Sequence, residues 1–424
     1  MKKLLALLLC LMMVVPTFAL AEDVEIAVWV YPVGGWTAAN VDPLVAEFEA
    51  AHPGIKVTVQ YLDYQNGDAT VTAAIESGTT PDVIMEGPER LVTNWGANGK
   101  ILPLNDLWTP EATADIIAAS AAVEAACKNS EGTYYEYPLC MTTHCMVINR
   151  NYFEKAGALQ YVDETTHTWT TEGFLKACEA LVDAGYVPGM VYCGGQGGDQ
   201  GTRALVNNLY SGKFTNAEHT AYTADSAENL KALETLQSLV NDGLLDAGPA
   251  YVAGDEIPMF CNGTLAMGFC WNAAAADSNK ANLAEDVEAF PMAFPSDDGI
   301  PELCGGIWGF GIFDNKDEAR AEAAKTFIRW AVDDPVQGPK SVYISGFFPT
   351  KASITAESVY GGTEKESYMD YSIFMPYLGD YYNVIGGWAQ QRTEWWNLLQ
   401  RVLAGGNVAD EVAVYVTNAN GSIK

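Results

Sequence analysis

The sequence predicts an α/β protein built as two domains. Three observations carry that expectation. The chain has 424 residues, more than one ordinary core supports, since single cores stop growing at about 250–300 residues. Its first globular stretch reads β-α-β-α-β, an order that calls for a parallel sheet with crossover helices. No proline-rich linker, internal repeat or low-complexity run divides the sequence, which implies that the chain crosses between its domains more than once.

The elements follow in order. Residues 1–21 have the pattern of a secretory signal: Lys2 and Lys3, an apolar run from Leu4 to Val15, then Ala19-Leu20-Ala21 as a small-x-small cleavage signal. The apolar run is shorter than the roughly 20 residues of a membrane span, and no later stretch is apolar enough to cross a bilayer. Cys10 lies inside the run without the small residues of a lipoprotein signal, so a free periplasmic or extracellular protein is expected rather than an anchored one. Val24 to Tyr31 reads as a buried strand that Gly34-Gly35 ends. Pro43 is expected to open a helix with Leu44, Val45, Phe48 and Ala51 on one face, stopped by Pro53-Gly54. Ile55, Val57, Val59 and Tyr61 alternate with polar residues as a strand of period two. A second helix is expected from about Asp68 to Glu76, then a short strand at Val83-Ile84-Met85. Glu131 to Leu139 reads as a turn entering a long strand that continues through Asn149, and Thr168 to Glu172 as a helix cap ahead of Phe174, Leu175 and Leu181. Ala319 to Val332 has the apolar spacing of an amphipathic helix.

In parallel sheets ligands collect beyond the carboxyl ends of the strands. Those ends here carry Tyr31 and Trp36, then Asp63 and Tyr64, then Glu86 and Glu89. Aromatics and carboxylates at three successive strand ends suit a polyhydroxylated ligand: flat rings cover the apolar C–H face of a sugar, and carboxylates accept its hydroxyls. In the C-terminal part, Trp395-Trp396 falls in a helical pattern with Leu398, Leu399 and Val402, which favours core packing. Trp388 follows Gly386-Gly387 in an expected loop and, with Tyr381 and Tyr382, is a further ligand candidate.

Composition narrows the function classes. A formal charge of −31, with 49% hydrophobic and 18% charged residues, describes a globular, strongly acidic chain. Such a field repels phosphate backbones, so nucleic acid is excluded as a partner. Eight cysteines follow the apolar run, with no CxxC pair or zinc spacing; they read equally as buried thiols or as one or two disulfides, which export would permit. No P-loop, HExxH or nucleophile elbow appears, so neither an enzyme nor a cofactor is expected. Of the histidines, His52 and His219 read as solvated, and His144 alone has a claim to a cleft.

The ordered motifs Thr80-Pro81-Asp82-Val83-Ile84, Leu102-Pro103-Leu104, Tyr137-Pro138-Leu139, Asn149 with Phe153-Glu154-Lys155-Ala156-Gly157, Thr168-Trp169, Gly263-Thr264-Leu265-Ala266-Met267, Gly305-Gly306 and Phe348-Pro349-Thr350 span nearly the whole chain. Together they resemble the family 1 extracellular solute-binding proteins of ABC importers, among them the maltose- and oligosaccharide-binding proteins. The resemblance implies a two-lobed periplasmic-binding-protein-like fold of type II, each lobe a mainly parallel sheet flanked by helices and joined by hinge strands. Lobe one would hold 22–139 and 308–345, and lobe two 140–307 and 346–424. It further implies a monomer that captures a carbohydrate by hinge closure and passes it to ABC transporter permease subunits, without spanning the membrane. Carried over motif by motif, the site would include Tyr31 and Trp36, Glu86, Glu89 and Arg90, Thr142 and His144 on the hinge strand, and Trp271 with Asn272; Trp308 is a further candidate. Glu86 replaces an aromatic, and Thr142 a carboxylate, of the maltose-binding relatives, which points away from maltose itself. Two other classes fit the same aromatics and acids: a secreted glycoside-active enzyme, and a binding protein for a cation such as a polyamine.

Overall fold

The computed structural model describes residues 23–31, 33–63, 66–194, 200–248, 250–379 and 385–423. The expected signal segment 1–21, Tyr64, Tyr381 and Tyr382 lie outside the described residues.

Val24–Val30 forms β1, with Ile26, Val28 and Val30 buried. Ile55–Tyr61 (β2) pairs with it in parallel from Val24↔Ile55 to Val30↔Tyr61, and Val83–Glu86 (β3) pairs in parallel on its other side. The connecting helices, Ala38–Ala51 and Gly67–Ser77, bury Val41, Leu44, Val45 and Phe48, and Val71 and Ala74. The first begins before the expected start: Pro43 lies inside it, and buried Val41 anchors the extra turn. Proline presets a helical φ, but past the first turn it cannot donate to the Ala39 carbonyl and its ring crowds that group, so the position disfavours the helix locally. The turn after β1 rests on the end of the Gln337–Ser345 helix. Gly34 has φ +54, and a Cβ there would lie 1.6 Å from the Ser345 carbonyl oxygen, so only glycine allows this approach.

The remaining strands are Tyr137–Thr143 (β4), Cys145–Asn149 (β5), Val162–Asp163 (β6), Thr168–Trp169 (β7), Met190–Tyr192 (β8), Asp246–Gly248 (β9), Met267–Trp271 (β10), Ala289–Met292 (β11), Gly305–Ile312 (β12) and Phe348–Pro349 (β13). The large sheet has the order β13-β4-β12-β3-β1-β2, and a second has the order β10-β5-β11; β6-β7 and β8-β9 form two small pairs. The expected long strand running through Asn149 is therefore two strands in different sheets, broken at His144. There the His144 amide donates to the Cys304 carbonyl at 2.8 Å, tying the outgoing strand to the returning one. The large sheet takes β4 through Thr143 and β12 from Gly305, and the expected crossings at 139/140, 307/308 and 345/346 fall within or beside β4, β12 and β13.

The sheets are mixed where mainly parallel ones were expected. Only β1-β2, β1-β3 and β8-β9 pair in parallel among the named strands, and β10-β5-β11 is wholly antiparallel. The cause is the crossing itself. β4 leaves the first sheet in the direction of β1, and β12 must come back the other way, so β12 is antiparallel to both β3 and β4.

Helices cover the sheets as their patterns require. Glu318–Asp333 buries Ala323, Ala324, Phe327, Ile328 and Ala331, with Phe327 edge-on to Phe48 at 5.2 Å and to Phe310 at 6.1 Å. Thr170 caps the Thr171–Asp183 helix by accepting the Gly173 amide at 3.0 Å, an N-cap contact typically worth about 1 kcal/mol. Trp395 is fully buried and packs edge-on to Phe214 and Tyr415. The eight cysteines among the described residues carry thiols; seven are buried and Cys270 is half-buried. Among the described residues, no helix is long and apolar enough to cross a membrane.

Candidate ligand-binding site

β3 ends at Glu86. Gly87 stays extended, Pro88 opens a single helical turn to Arg90, and Leu91–Gly96 continues as a π-helical turn. Proline suits that first helical position because its missing N–H would be unsatisfied anyway. A Cβ on Gly87 would lie 2.6 Å from Glu89 Oε2, so the glycine lets Glu89 fold back over the strand end. This turn brings Glu86, Glu89 and Arg90 together.

Arg90 is the centre of the cluster. Its Nη1 donates to Glu86 Oε1 at 2.8 Å, while Nε and Nη2 donate to Asp68 Oδ1 at 2.9 Å and Oδ2 at 2.8 Å. Glu89 Oε1 lies 3.7 Å away. Asp68 stands in the first turn of the Gly67–Ser77 helix, where the helix dipole favours negative charge. It also accepts the Tyr31 hydroxyl at 3.1 Å. The ends of β1 and β3 and the start of a helix thus share one polar network.

Electrostatics sort these groups. Burial pushes the Glu86 carboxyl up to about 8, helped by the charges of Glu89 and Asp68 and opposed by Arg90. Burial also acts to raise Asp68, but the hydrogen bonds and charge of Arg90, the Tyr31 hydroxyl and the charge of Arg392 hold it below the ordinary aspartate range. Arg392 belongs to the Trp388–Leu403 helix, so a cation from the C-terminal part of the chain reaches the same point. Burial and the charges of Glu86 and Asp68 keep the Tyr31 hydroxyl protonated, which leaves it a donor.

Glu136, just before β4, lies behind this cluster. It is fully buried, neither carboxyl oxygen has a hydrogen-bond partner, and burial with the charges of Glu89 and Glu86 raises it well above the ordinary range. Asp68, Arg392 and Glu136 were missed by the sequence reading. Asp68 had a signal, since it opens the helix after the second strand end. Arg392 and Glu136 had none, because only the fold brings such distant positions to β3.

The other expected site residues divide. Trp308 is half-buried on β12, and a Cβ on Gly306 would lie 2.8 Å from its Nε1, so the indole lies along its own strand. His144 is half-buried in the link between β4 and β5, with Nδ1 3.7 Å from Cys270 Sγ. Trp388 is half-buried at the first position of its helix, not in a loop, and the Arg203 guanidinium sits 4.8 Å from its ring centroid. Asp63 is exposed and accepts the Asn66 amide at 2.8 Å, forming the turn into the next helix. Asn272 caps the Ala273–Asn279 helix by accepting the Ala275 amide at 2.8 Å. Thr142 is buried within β4.

Two of the expected residues lie in core. Trp36 is fully buried, donates to the Ser341 carbonyl at 3.3 Å and packs edge-on to Phe310. Trp271 is 1% exposed, donates to the Tyr371 hydroxyl at 2.8 Å and packs edge-on to Phe260. Both rings are enclosed by core and offer no open face for stacking. The size that made them attractive as platforms is what makes them core-forming.

A model of the bacterial extracellular solute-binding protein family matches residues 34–338. The chain belongs to this family. A solute-binding protein of this extracellular class works outside the cytoplasm. No curated protein matches it. Among solved structures it is similar to the cyclic α-maltosyl-1,6-maltose binding protein of Arthrobacter globiformis, with 18% identity, TM-score 0.74, and coverage of 95% of this chain and 99% of the other. It is similar to the ABC substrate-binding protein Lmo0181 of Listeria monocytogenes in complex with cycloalternan, with 18% identity, TM-score 0.71, and 94% and 99% coverage. The sugar-binding protein MalE of Xanthomonas citri is similar at 16% identity, TM-score 0.73, and 94% and 96% coverage. The likeness shows the fold of this solute-binding protein: two α/β lobes of the type II periplasmic-binding-protein kind.

Proposed function

We propose that this solute-binding protein captures a carbohydrate between its lobes, closes about the crossing strands, and delivers the intact sugar to the permease of an ABC importer. The observation that carries this reading is the convergence at Asp68: Arg90 from the end of β3 grips it, and the charge of Arg392 reaches it from the C-terminal helix. Charged donors and acceptors from distant parts of the chain meeting at strand ends suit a ligand with many hydroxyls, and half-buried Trp308 offers an apolar ring nearby on β12. The sugars named for the similar structures agree with this chemistry. The site would comprise Tyr31, Asp68, Glu86, Glu89, Arg90 and Trp308 of lobe one, with His144, Trp388 and Arg392 completing it on closure.

Contacts from both lobes are complete only when the lobes are closed, so the ligand shifts the open–closed equilibrium by its differential affinity. A micromolar ligand supplies about 8 kcal/mol, part of which offsets closure and ordering. No step of this cycle breaks a bond in the sugar. Residues 1–21 would be removed on export, leaving a free monomer.

A thermal-shift screen of the mature protein against monosaccharides and linear and cyclic oligosaccharides tests the proposal. At least one sugar should raise Tm in proportion to the logarithm of its concentration, and should be recovered unhydrolysed. If no sugar moves Tm while a polyamine does, with a shift that salt abolishes, the acids of the site serve a cation instead.

A further inference from the structure

We propose that Cys270, paired with His144, is a reactive thiol that accepts small disulfides as a modification site. The argument begins with β10. Its pairing with β5 slips between Gly268 and Trp271, and the Phe269 and Cys270 amides donate instead to Glu256 Oε1 at 2.8 Å and Oε2 at 3.0 Å. Such a bulge re-aims side chains. Here it directs Cys270 to His144, with Sγ 3.7 Å from Nδ1, at the break where the chain changes sheets. Among the described residues seven cysteines are buried, and Cys270 alone is not. Burial pushes the Cys145 and Cys178 thiols up, and the Cys140 thiol to about 12, which leaves them inert. Cys270 has both an opening to solvent and a base.

Among the described residues, Glu256 meets the pair at the Cys270 amide. Burial raises Glu256 to about 8 against its two amide hydrogen bonds, so it is largely uncharged at neutral pH. Cys304 meets His144 through its carbonyl, and Cys145 directs its Sγ to the Trp271 carbonyl at 3.5 Å.

The step is thiol–disulfide exchange. His144 Nδ1 takes the Cys270 proton, and the thiolate attacks one sulfur of a disulfide RSSR. A Cys270–S–S–R bond forms as the RS–SR bond breaks, and the departing RS⁻ takes the proton from the imidazolium and leaves as RSH. Cys270 is oxidised and the departing thiol reduced, with no other reactant.

The test treats the mature protein with bis(2-hydroxyethyl) disulfide and follows adducts on each cysteine by peptide mass spectrometry. Cys270 should be modified at least ~10-fold faster than any other cysteine, and its rate should level off below the ordinary thiol range near pH ~8.5. His144→Gln should slow it ~10-fold, and Cys270→Ser should remove the fast adduct while leaving sugar binding unchanged. The proposal is overturned if Cys270 is modified no faster than the buried cysteines, or if its rate in the wild-type protein rises only through the ordinary thiol range. That second reading needs no variant, so misfolding cannot mask it. Any loss of ligand capture on modification rests on the proposed clamp; the labelling rates do not, and the two ideas fail separately.

Discussion

Both carboxylate oxygens of Asp68 are held by one guanidinium, that of Arg90, at 2.9 and 2.8 Å. The fork leaves Nη1 for Glu86, so Arg90 fixes two acids that would otherwise repel each other.

Arg90→Met removes that fork and should weaken sugar binding by about 10–100-fold, the worth of one or two charge-assisted hydrogen bonds. Arg90→Lys keeps the charge but not the planar fork, and should recover only part of the loss. Titration calorimetry of the two variants with the best ligand checks the order.

Trp271 and Trp308 should separate stability from binding. Trp271→Ala opens a cavity in core and should cost about 3–5 kcal/mol in denaturant unfolding. Trp308→Ala, at a half-buried position, should cost far less stability yet abolish the ligand-induced rise in Tm. Equal destabilisation by the two variants would contradict their placement.

These residues show what the sequence made legible. Strand and helix patterns were readable because apolar spacing reports a local face, as in Glu318–Asp333. Glu86, Glu89 and Arg90 were readable because one turn of chain holds them. The face a tryptophan presents is set by distant contacts: Trp271 meets Tyr371 and Trp36 meets Ser341, and neither partner is marked by any local pattern. The break at His144 was hidden because β4 and β5 are both buried along their whole length and read as one strand. Glu136 looked like an ordinary charge ahead of a strand until β3 and β12 closed around it.

Stability should fall as the pH rises from about 5 to 8. Glu86 and Glu136 are raised in the folded state. Their favourable contribution is therefore fully present below the ordinary glutamate range and is lost as the pH climbs through the folded value, about 8 for Glu86. Asp68 is lowered, so its contribution is lost at the other end, as acid protonates it. Urea unfolding should place the optimum in mild acid, and Glu136→Gln should flatten the alkaline decline by on the order of 1–2 kcal/mol.

Gly309→Ala should destabilise by about 1–3 kcal/mol. An added Cβ would lie 2.5 Å from the Tyr137 carbonyl oxygen and 2.7 Å from Glu136 Oε1, forcing apart β12 and β4 where they cross. Alanine at Gly254, where nothing lies within 4 Å, is the control and should leave stability unchanged or slightly raised.

Small-angle X-ray scattering of the mature protein, with and without a saturating sugar from the thermal-shift screen, addresses the hinge most directly. A clamp predicts a smaller radius of gyration in the bound state, and Arg90→Met should not contract at the same sugar concentration. An unchanged radius for wild-type protein at full saturation would mean that binding does not close the lobes.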